Sequence, residues 1–330
     1  MPVMVRHDDA RLSWPGAVSL ERSKDWTMPW RIPEAERGLF HAELAARAAE
    51  PSGVRIAFRS DTTSLAGVIE PHPALLKLEL VADGKSVGSA ALAERTEFRF
   101  QGLPKGKKRM ELWLPQGGEF RLRTLELSDR ASLEKLEDTR PRWTTYGSSI
   151  TQCGEADVPT GTWPAVVARE HGLHLTSLGF GGQCHLDPMI ARVMRDMPAD
   201  FLSMCVGINV MGDATMSART FAPGIIGFVK IVREKHPLTP LVVMSAICAP
   251  DFETTPNVLG LTLAMTRPEV KAAVDALRAH GDGNVHYVDG LDIFGSDLAH
   301  LLPDKLHPNT EGYRRLAENF LEKVVRKWFV

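Results

Sequence analysis

The alternation of apolar and polar residues divides the chain into two parts. In the first part, runs such as GVRIAFRSDTTSLAGVIEP and LLKLELVADGKSVGSAAL alternate apolar and polar positions and contain turn residues. Alternation with a period of two is typical of strands that bury one face, and Asp83-Gly84 predicts a hairpin turn. Short strands at regular spacing indicate an all-β, antiparallel sandwich of jelly-roll type over residues 1–138.

After Arg140-Pro141 the pattern changes, and apolar runs of strand length alternate with helical patterns. We expect strands over 142–146, 175–179, 200–206, 240–247 and 285–289, and helices over 161–171, 188–197, 223–235 and 267–280. A last helix is predicted over 309–328, because apolar residues recur four apart in it and Pro308 suits its first turn. Alternating strands and helices predict an α/β domain over residues 139–330, with a mostly parallel sheet covered on both faces.

Two stretches of charged residues occur in the first part of the chain, and one of them lies at its boundary with the second part. The segment DRASLEKLEDTRPR is rich in charged residues and predicts a helical connector between the two domains. The basic residues of the segment PKGKKR follow a turn signal, and we expect them at a solvated hairpin tip rather than in a binding patch; they are Lys105, Lys107, Lys108 and Arg109.

The composition is that of a globular protein and disfavours several kinds of partner. Of 330 residues, 44% are hydrophobic and 24% are charged, and the formal net charge is −2. Without a basic field we expect neither nucleic acid nor an anionic membrane as a partner. No apolar run is long enough to span a bilayer, and the segment MPVMVRHDDARLSWPG lacks the apolar core of a signal peptide. The expected location is therefore the cytoplasm.

The cysteines and histidines do not suggest a metal site. The four cysteines form no C-x-x-C pair, which disfavours zinc ribbons and thioredoxin-type motifs; they are Cys153, Cys184, Cys205 and Cys248. We expect reduced, buried thiols, with a Cys153–Cys184 disulfide as the alternative. His171 and His174 lie near a predicted helix end without a third ligand, so no metal or other cofactor is expected.

Polar and small residues gather just after several of the predicted strands. Ser149 follows the first strand in YGSSI, Gly182 follows the second in GFGGQC, and Asn209 follows the third in VGINV. Asp304 and His307 lie in LPDKLHP, after the fifth strand. Because ligands bind beyond the carboxyl ends of parallel strands, we expect these residues to meet at one edge of the sheet.

This set of residues is sufficient for acyl transfer through a covalent intermediate. Ser149 can act as the nucleophile if His307 takes its proton, and Asp304 can orient the imidazole and stabilise its charged form. The developing oxyanion needs donors that are already in place, and the backbone N–H groups of Ser149 and Gly182 and the side-chain amide of Asn209 can supply them.

Several alternatives remain open for single residues. Ser148 is a second candidate nucleophile, and each proposed site residue could instead serve a turn or a helix cap. Gln183 and His185 could line an acyl pocket or could be structural. The segment LGFGGQC has Cys184 in place of the last glycine of a dinucleotide-binding loop, which disfavours nucleotide binding. Thr151 stands in place of the last glycine of a G-x-S-x-G nucleophile elbow, which disfavours the α/β-hydrolase fold.

The order of these short motifs resembles the SGNH (GDSL-type) hydrolase superfamily over about residues 140–330. The motifs are Gly-x-Ser-Ile, Gly-Gly, Gly-x-Asn and Asp-x-x-His, and they carry Ser149, Gly182, Asn209, Asp304 and His307. The chain departs from the family twice: Ser148 stands where the family usually has Asp, and Val210 stands where many members have Asp.

The resemblance implies a three-layer, flavodoxin-like α/β/α domain and a serine esterase without a cofactor. An all-β domain before it is similar to the sandwich of carbohydrate-esterase-like members and of some related acyltransferases. The implied substrate is a small-molecule or saccharide ester with a short acyl group, with acetyl on a sugar or polyol as the leading expectation. The alternatives are an acyltransferase that uses an alcohol or amine acceptor, and a non-catalytic carbohydrate-binding protein.

Overall fold

The computed structural model describes residues 1–329, and the chain forms two compact units. The first unit contains Met1–Arg140 together with the short segment Asp157–Thr160. The second contains Pro141–Ala156 and the chain from Gly161 onward. Each unit has its own sheet architecture.

The first unit is built from two antiparallel sheets. One sheet has the order β2-β3-β10-β5-β8, with β1 also paired to β10, and the other has the order β4-β9-β6-β7. A short helix α1 (Ala42–Ala48) and a 3-10 helix (Glu34–Leu39) follow β3. The strands are β1 (Pro2–Arg6), β2 (Ser19–Arg22), β3 (Thr27–Trp30), β4 (Arg55–Ser60), β5 (Ser64–Ile69), β6 (Lys77–Ala82), β7 (Lys85–Ala91), β8 (Glu97–Gln101), β9 (Lys108–Trp113) and β10 (Leu122–Asp129).

The core of the first unit comes from alternate residues of these strands. Phe58 and Leu112 on one sheet and Leu65 and Leu125 on the other belong to a single buried apolar cluster. The predicted antiparallel sandwich is therefore confirmed. The predicted hairpin at Asp83-Gly84 is confirmed as well: it joins β6 to β7, and φ is 45° at Asp83 and 79° at Gly84. Positive φ at both central residues is the geometry of a type I′ turn, which suits strand twist.

The two expectations for charged stretches fail to different extents. Lys105 and Lys107 are exposed in the turn before β9, as expected. Lys108 begins β9 and is buried, and its ammonium donates to the backbone oxygens of Thr62 and Gly106, so it is not part of a solvated tip. Burial lowers the pKa of Lys108. The segment 130–140 forms no helix and instead pairs through Glu134 with the backbone of Arg59. The charges of this segment therefore do not indicate a helix.

The second unit has a five-stranded sheet in which every pairing is parallel. Its order is β12-β11-β13-β14-β15, so the chain crosses from β11 to one side and then returns to the other. Its strands are β11 (Arg142–Gly147), β12 (His174–Gly179), β13 (Phe201–Val206), β14 (Leu241–Ser245) and β15 (Val285–Val288). All five strands were predicted from the apolar runs.

Helices connect these strands. They are α2 (Ser149–Gln152), α3 (Trp163–His171), α4 (Pro188–Asp196), α5 (Ile208–Gly212), α6 (Ala218–Arg233), α7 (Leu263–Ala279), α8 (Gly290–Ile293) and α9 (Thr310–Phe320). Helix α9 continues through a π-helical turn (Leu321–Val325) into α10 (Arg326–Trp328). Two short 3-10 helices, Pro250–Phe252 and Ser296–Leu301, complete the set. A third, Pro159–Gly161, begins in the segment that belongs to the first unit.

Aromatic side chains of β11 fix the helices to both faces of the sheet. Trp143 packs against Trp163 of α3 and stacks on Phe320 of α9, with ring centroids 5.8 and 5.6 Å away. Tyr146 stacks on Phe228 of α6 at 5.1 Å. Because Trp143 and Tyr146 are an odd number of residues apart in one strand, they point to opposite faces. The predicted three-layer α/β/α fold is confirmed.

Two predicted helix starts are wrong, and so is the place predicted for Pro308. Helices α6 and α7 begin several residues before the predicted starts, and they contain Pro223 and Pro268 in their interiors. Their starts are set by the caps Ser217 and Thr262. The Thr262 hydroxyl accepts a hydrogen bond from the Met265 N–H, and the Ser217 N–H donates to the hydroxyl of Thr220. Pro308 lies before the cap of α9, not in its first turn.

A pair of glycines lets α2 approach the ends of the first two strands. Gly147 and Gly179 are register partners at the ends of β11 and β12. A Cβ atom at Gly179 would lie 2.4 Å from the backbone nitrogen of Gln152 and 2.5 Å from the carbonyl carbon of Thr151. A side chain at this position would therefore push α2 off the sheet.

We expect Gly179→Ala to destabilise the protein by about 1–3 kcal/mol, because the added methyl overpacks rigid backbone. Gly212→Ala is the matched control, since a Cβ at Gly212 meets nothing within 4 Å and alanine favours helices. Urea unfolding of both variants and the parent measures the difference. Equal stability of Gly179→Ala and the parent would contradict the close approach of α2.

Candidate active site

The two adjacent serines after β11 have different surroundings. Ser148 is the N-cap of α2; its side chain is buried, and its Oγ accepts a hydrogen bond from the Ile150 N–H at 3.3 Å. Ser149 is the first helical residue, and its Oγ lies 2.8 Å from Nε2 of His307. Ser148 therefore supports the turn, whereas the hydroxyl of Ser149 faces a base.

The ring of His307 links Ser149 to Asp304. Nδ1 of His307 lies 2.6 Å from Oδ2 of Asp304. An ionised carboxylate only accepts hydrogen bonds, so the ring proton belongs on Nδ1, and Nε2 is left to accept from the serine hydroxyl. The three side chains thus form one hydrogen-bonded chain from hydroxyl to imidazole to carboxylate, as their spacing predicts for acyl transfer.

The carboxylate of Asp304 is fixed by its own loop. Oδ1 accepts from the backbone N–H groups of Leu306 and His307 at 3.0 and 2.7 Å. Partial burial works to raise the pKa of Asp304, but the hydrogen bonds from His307 and Leu306 outweigh it, and the net pKa lies below its ordinary value. The neighbouring Lys305 has a φ of 63° and pairs with Asp251 at 3.1 Å. Asp304 is therefore ionised and oriented at neutral pH.

Hydrogen bonds also tie the loops after β11, β12 and β13 to one another. The Gly181 N–H donates to Oε1 of Gln152 on α2 at 2.7 Å. The Cys184 N–H donates to Oδ1 of Asn209 at 3.0 Å. Since the amide oxygen of Asn209 is occupied in this way, its NH₂ group is the part that can donate to a ligand. These loops meet where the strand order reverses, which is where open α/β sheets bind ligands.

The turn that carries Gly182 is held from its carbonyl side. Gly182 has a φ of 71°, and its carbonyl oxygen lies 2.9 Å from Nε2 of His185. The other ring nitrogen of His185 lies 2.9 Å from the hydroxyl of Thr215. His185 therefore supports the glycine turn. A contribution of His185 or Gln183 to an acyl pocket stays a prediction.

The backbone donors proposed for an oxyanion have no competing acceptor. The Ser149 N–H opens α2 and therefore has no acceptor within the helix. Among residues 1–329, no backbone carbonyl accepts a hydrogen bond from the Gly182 N–H. Both groups can thus donate to a bound oxygen atom.

The thiols of the second unit are reduced and buried. All four cysteines are free, so the expectation of structural thiols is confirmed and a Cys153–Cys184 disulfide is wrong. Burial raises the pKa of each of them. Val210, which replaces the aspartate of many relatives, is also fully buried. These groups pack as apolar side chains beside the site.

The structure gives two further observations on the sequence expectations. Within residues 1–329, no group of His, Cys, Asp or Glu side chains has an arrangement that could hold a metal ion. A search of the helices in the same residues found none with both the length and the apolar character to cross a membrane.

Sequence reasoning missed three side chains that border the site. Gln152 holds Gly181, as described above, and Glu155 lies 3.9 Å from Nδ1 of His307. Tyr313 donates its hydroxyl to Glu155 at 2.6 Å. Only Gln152 carried a local signal, because it lies one turn after Ser149 on the same helix. The contacts of Glu155 join segments that are far apart in the sequence.

A parallel sheet between two layers of helices, with these motifs at its strand ends, is the fold of the SGNH-type enzymes. The chain belongs to the GDSL-like lipase/acylhydrolase family, whose sequence profile matches residues 142–326. A second profile, that of the SsfX3 N-terminal domain, matches residues 12–123. A search of curated proteins found no match.

Solved structures extend this assignment over the whole chain. A salicylyl-acyltransferase, SsfX3, from a tetracycline biosynthetic pathway is 36% identical, with a TM-score of 0.90 over 98% of this chain and 97% of that one. A putative GDSL-like lipase from Bacteroides ovatus is 19% identical, with a TM-score of 0.81 over 99% and 98%. A family two carbohydrate esterase from Clostridium thermocellum is 14% identical, with a TM-score of 0.68 over 96% and 98%. The last two show a shared fold.

The different surroundings of the two serines predict different stabilities of their alanine variants. Ser148→Ala removes a helix cap and is expected to cost about 1 kcal/mol of unfolding free energy. Ser149→Ala removes only the contact with the partly exposed His307 and is expected to change it by less than about 0.5 kcal/mol. Urea unfolding measures both, and a larger loss for Ser149→Ala would contradict these roles.

Proposed function

We propose that this protein is a serine esterase that cleaves short-chain carboxylic esters through an acyl-enzyme on Ser149. The observation that carries the proposal is the hydrogen-bonded chain from Ser149 through His307 to Asp304. Membership of an acylhydrolase family supports the same chemistry. An acetyl ester of a sugar or polyol is the proposed substrate class, supported by the shared fold of the carbohydrate esterases.

In the first half of the proposed reaction, Oγ of Ser149 attacks the ester carbonyl carbon while its proton passes to Nε2 of His307. The imidazolium that forms is stabilised by the carboxylate of Asp304 through the Nδ1–H. The tetrahedral oxyanion accepts hydrogen bonds from the N–H groups of Ser149 and Gly182 and from the amide of Asn209. His307 then returns its proton to the leaving alcohol, and the acyl group stays on Ser149.

In the second half, His307 removes a proton from a water molecule, which attacks the acyl carbonyl. The same donors stabilise the second oxyanion. As this intermediate collapses, His307 gives the proton from Nε2 to Oγ of Ser149, and the carboxylic acid leaves with the serine hydroxyl restored. Removal of one oxyanion donor typically costs about 10²–10³ in kcat. No metal or organic cofactor takes part in the proposed reaction.

Ser149→Ala is expected to lower p-nitrophenyl acetate turnover by at least about 10³-fold, because the covalent step is lost. A fluorophosphonate should label the parent at Ser149, as located by peptide mass spectrometry. Ser148→Ala is the matched control and should keep both labelling and most of the turnover. Labelling at Ser148 would move the nucleophile by one residue, and an inert, unlabelled parent would favour a non-catalytic carbohydrate-binding protein.

A second candidate function is acyl transfer to an alcohol or amine acceptor. It is favoured by the 36% identity, over nearly the whole chain, to a salicylyl-acyltransferase. The acyl-enzyme on Ser149 would form in the same way, and the acceptor would replace water in the second half. The two functions therefore share one site and differ in the second nucleophile.

Partition of the acyl group separates the two functions. If the protein is an esterase, added sugars, polyols or aromatic alcohols should leave free acid as the main product and leave the turnover rate nearly unchanged. If it is an acyltransferase, acylated acceptor should rise with acceptor concentration at the expense of free acid. Product analysis by liquid chromatography and mass spectrometry, with acetyl and aromatic acyl donors, measures the ratio, and Ser149→Ala is the control for uncatalysed transfer.

A further inference from the structure

His307 has a second carboxylate neighbour besides Asp304. Oε1 of Glu155 lies 3.9 Å from Nδ1 of His307, and Oε2 of the same carboxylate accepts the hydroxyl proton of Tyr313 at 2.6 Å. A separation of 3.9 Å is too long for a hydrogen bond. It is short enough for charge interaction once the imidazole is protonated. Glu155 therefore faces the same ring nitrogen as Asp304 without competing for it.

The backbone brings Glu155 back toward the histidine. Cys153 ends α2 in the left-handed conformation, with a φ of 59°, and its carbonyl accepts from the Ala156 N–H at 3.1 Å. This tight turn reverses the chain directly after the helix that carries Ser149. Glu155 thus lies on the turn that follows the proposed nucleophile, and its position is tied to that of Ser149.

Tyr313 holds the carboxylate of Glu155 in place. Tyr313 lies on α9, shortly after His307, and its side chain is fully buried. Burial, together with the nearby Cys153 and Glu155, raises the pKa of Tyr313 well above its ordinary value. The phenol therefore keeps its proton and acts as a hydrogen-bond donor to Glu155 over the whole working pH range.

We propose that Glu155, oriented by Tyr313, is a second positioning carboxylate that shares the positive charge of the protonated His307 with Asp304. In the parent it stabilises the imidazolium across 3.9 Å. When the carboxylate of Asp304 is absent, a small rotation of the Glu155 side chain brings it to Nδ1, and the ring keeps a charged partner. This inference rests on the proposed function of the site.

Other charged groups near the ring do not take this role. Lys305, beside Asp304, pairs with Asp251 from the 3-10 helix Pro250–Phe252, and that pair is exposed. Tyr313 stays neutral, as argued above. The titratable and charged groups that face His307 or its loop are therefore Asp304, Lys305, Asp251, Glu155 and Tyr313. Of these, only the carboxylates of Asp304 and Glu155 lie near Nδ1 of the ring.

The test is a set of variants measured by turnover of p-nitrophenyl acetate. Glu155→Gln keeps an amide oxygen for Tyr313 but removes the charge, and we expect kcat to fall about 3- to 10-fold with KM nearly unchanged. Asp304→Asn should lower kcat by less than the about 10⁴-fold loss that is typical of a triad without a second carboxylate. In the Asp304→Asn background, Glu155→Gln should cost at least about ten times more than it does in the parent.

Two further variants distinguish charge from structure. Tyr313→Phe should lower kcat in the parent but add nothing to Glu155→Gln, because the phenol acts through the carboxylate. Glu234→Gln is the matched control: it removes one carboxylate from the end of α6, at the opposite edge of the sheet, and should leave kcat and its pH profile unchanged. The acid limb of kcat/KM should move to lower pH in Glu155→Gln, because the imidazolium has lost a stabilising charge. High salt should reduce this displacement.

A measurement without substrate separates this inference from the proposed function. Titration of the His307 ring, followed by NMR, should move to lower pH in Glu155→Gln and stay in place in Glu234→Gln, whether or not the protein turns over esters. The role of Glu155 would be overturned if the parent and Glu155→Gln had the same ring titration and the same pH profile, and if Glu155→Gln had the same effect in the parent and in Asp304→Asn. Turnover that survives Ser149→Ala would instead overturn the proposed function and leave the ring titration to decide this inference.

Discussion

The candidate site depends on how closely the chain can fold back onto the sheet after β11. Gly147 and Gly179 lie side by side at the ends of two parallel strands, and neither carries a side chain. The backbone of α2 therefore rests directly on the strand ends, within a distance that excludes a Cβ atom at Gly179. This approach lets Gln152 reach the loop after β12 and fixes the direction of Ser149. The other contacts of the site build on that one steric constraint.

From this base, each loop at the strand ends is held by its neighbour. The side chain of Gln152 accepts a hydrogen bond from the Gly181 N–H, and the ring of His185 contacts the carbonyl oxygen of Gly182. The Cys184 N–H donates to the amide oxygen of Asn209. These bonds occupy the groups that face the protein and leave the opposite groups for a ligand. Donors that are oriented before a ligand arrives need little reorganisation, which is the condition for strong stabilisation of a developing charge. The polar groups of the site therefore act as one preorganised set.

Much of the fold follows from local patterns in the sequence, whereas the side chains that surround the proposed catalytic residues do not. The parallel strands were predictable because each is a short apolar run between helical patterns. Ser149 comes just after the first of these runs, whereas Asp304 and His307 come later, after α8 and the 3-10 helix Ser296–Leu301. The starts of α6 and α7 were harder to predict, because Pro223 and Pro268 lie inside these helices and the caps Ser217 and Thr262 lie several residues earlier. The burial of Lys108 was not predictable, because one of its backbone acceptors, Thr62, is remote in the sequence. The contact between Glu155 and Tyr313 joins distant segments, and no periodicity encodes it.

The capping role of Ser148 has an evolutionary consequence. Aspartate, the usual residue of the family at this position, and serine are both good helix caps, because each offers a side-chain oxygen to the free N–H groups of the first turn. An exchange between them removes one negative charge but preserves the geometry that presents the next residue. The turn that presents Ser149 therefore does not require an aspartate at position 148. A sequence pattern that requires aspartate at the position of Ser148 would miss this chain, although its turn is intact.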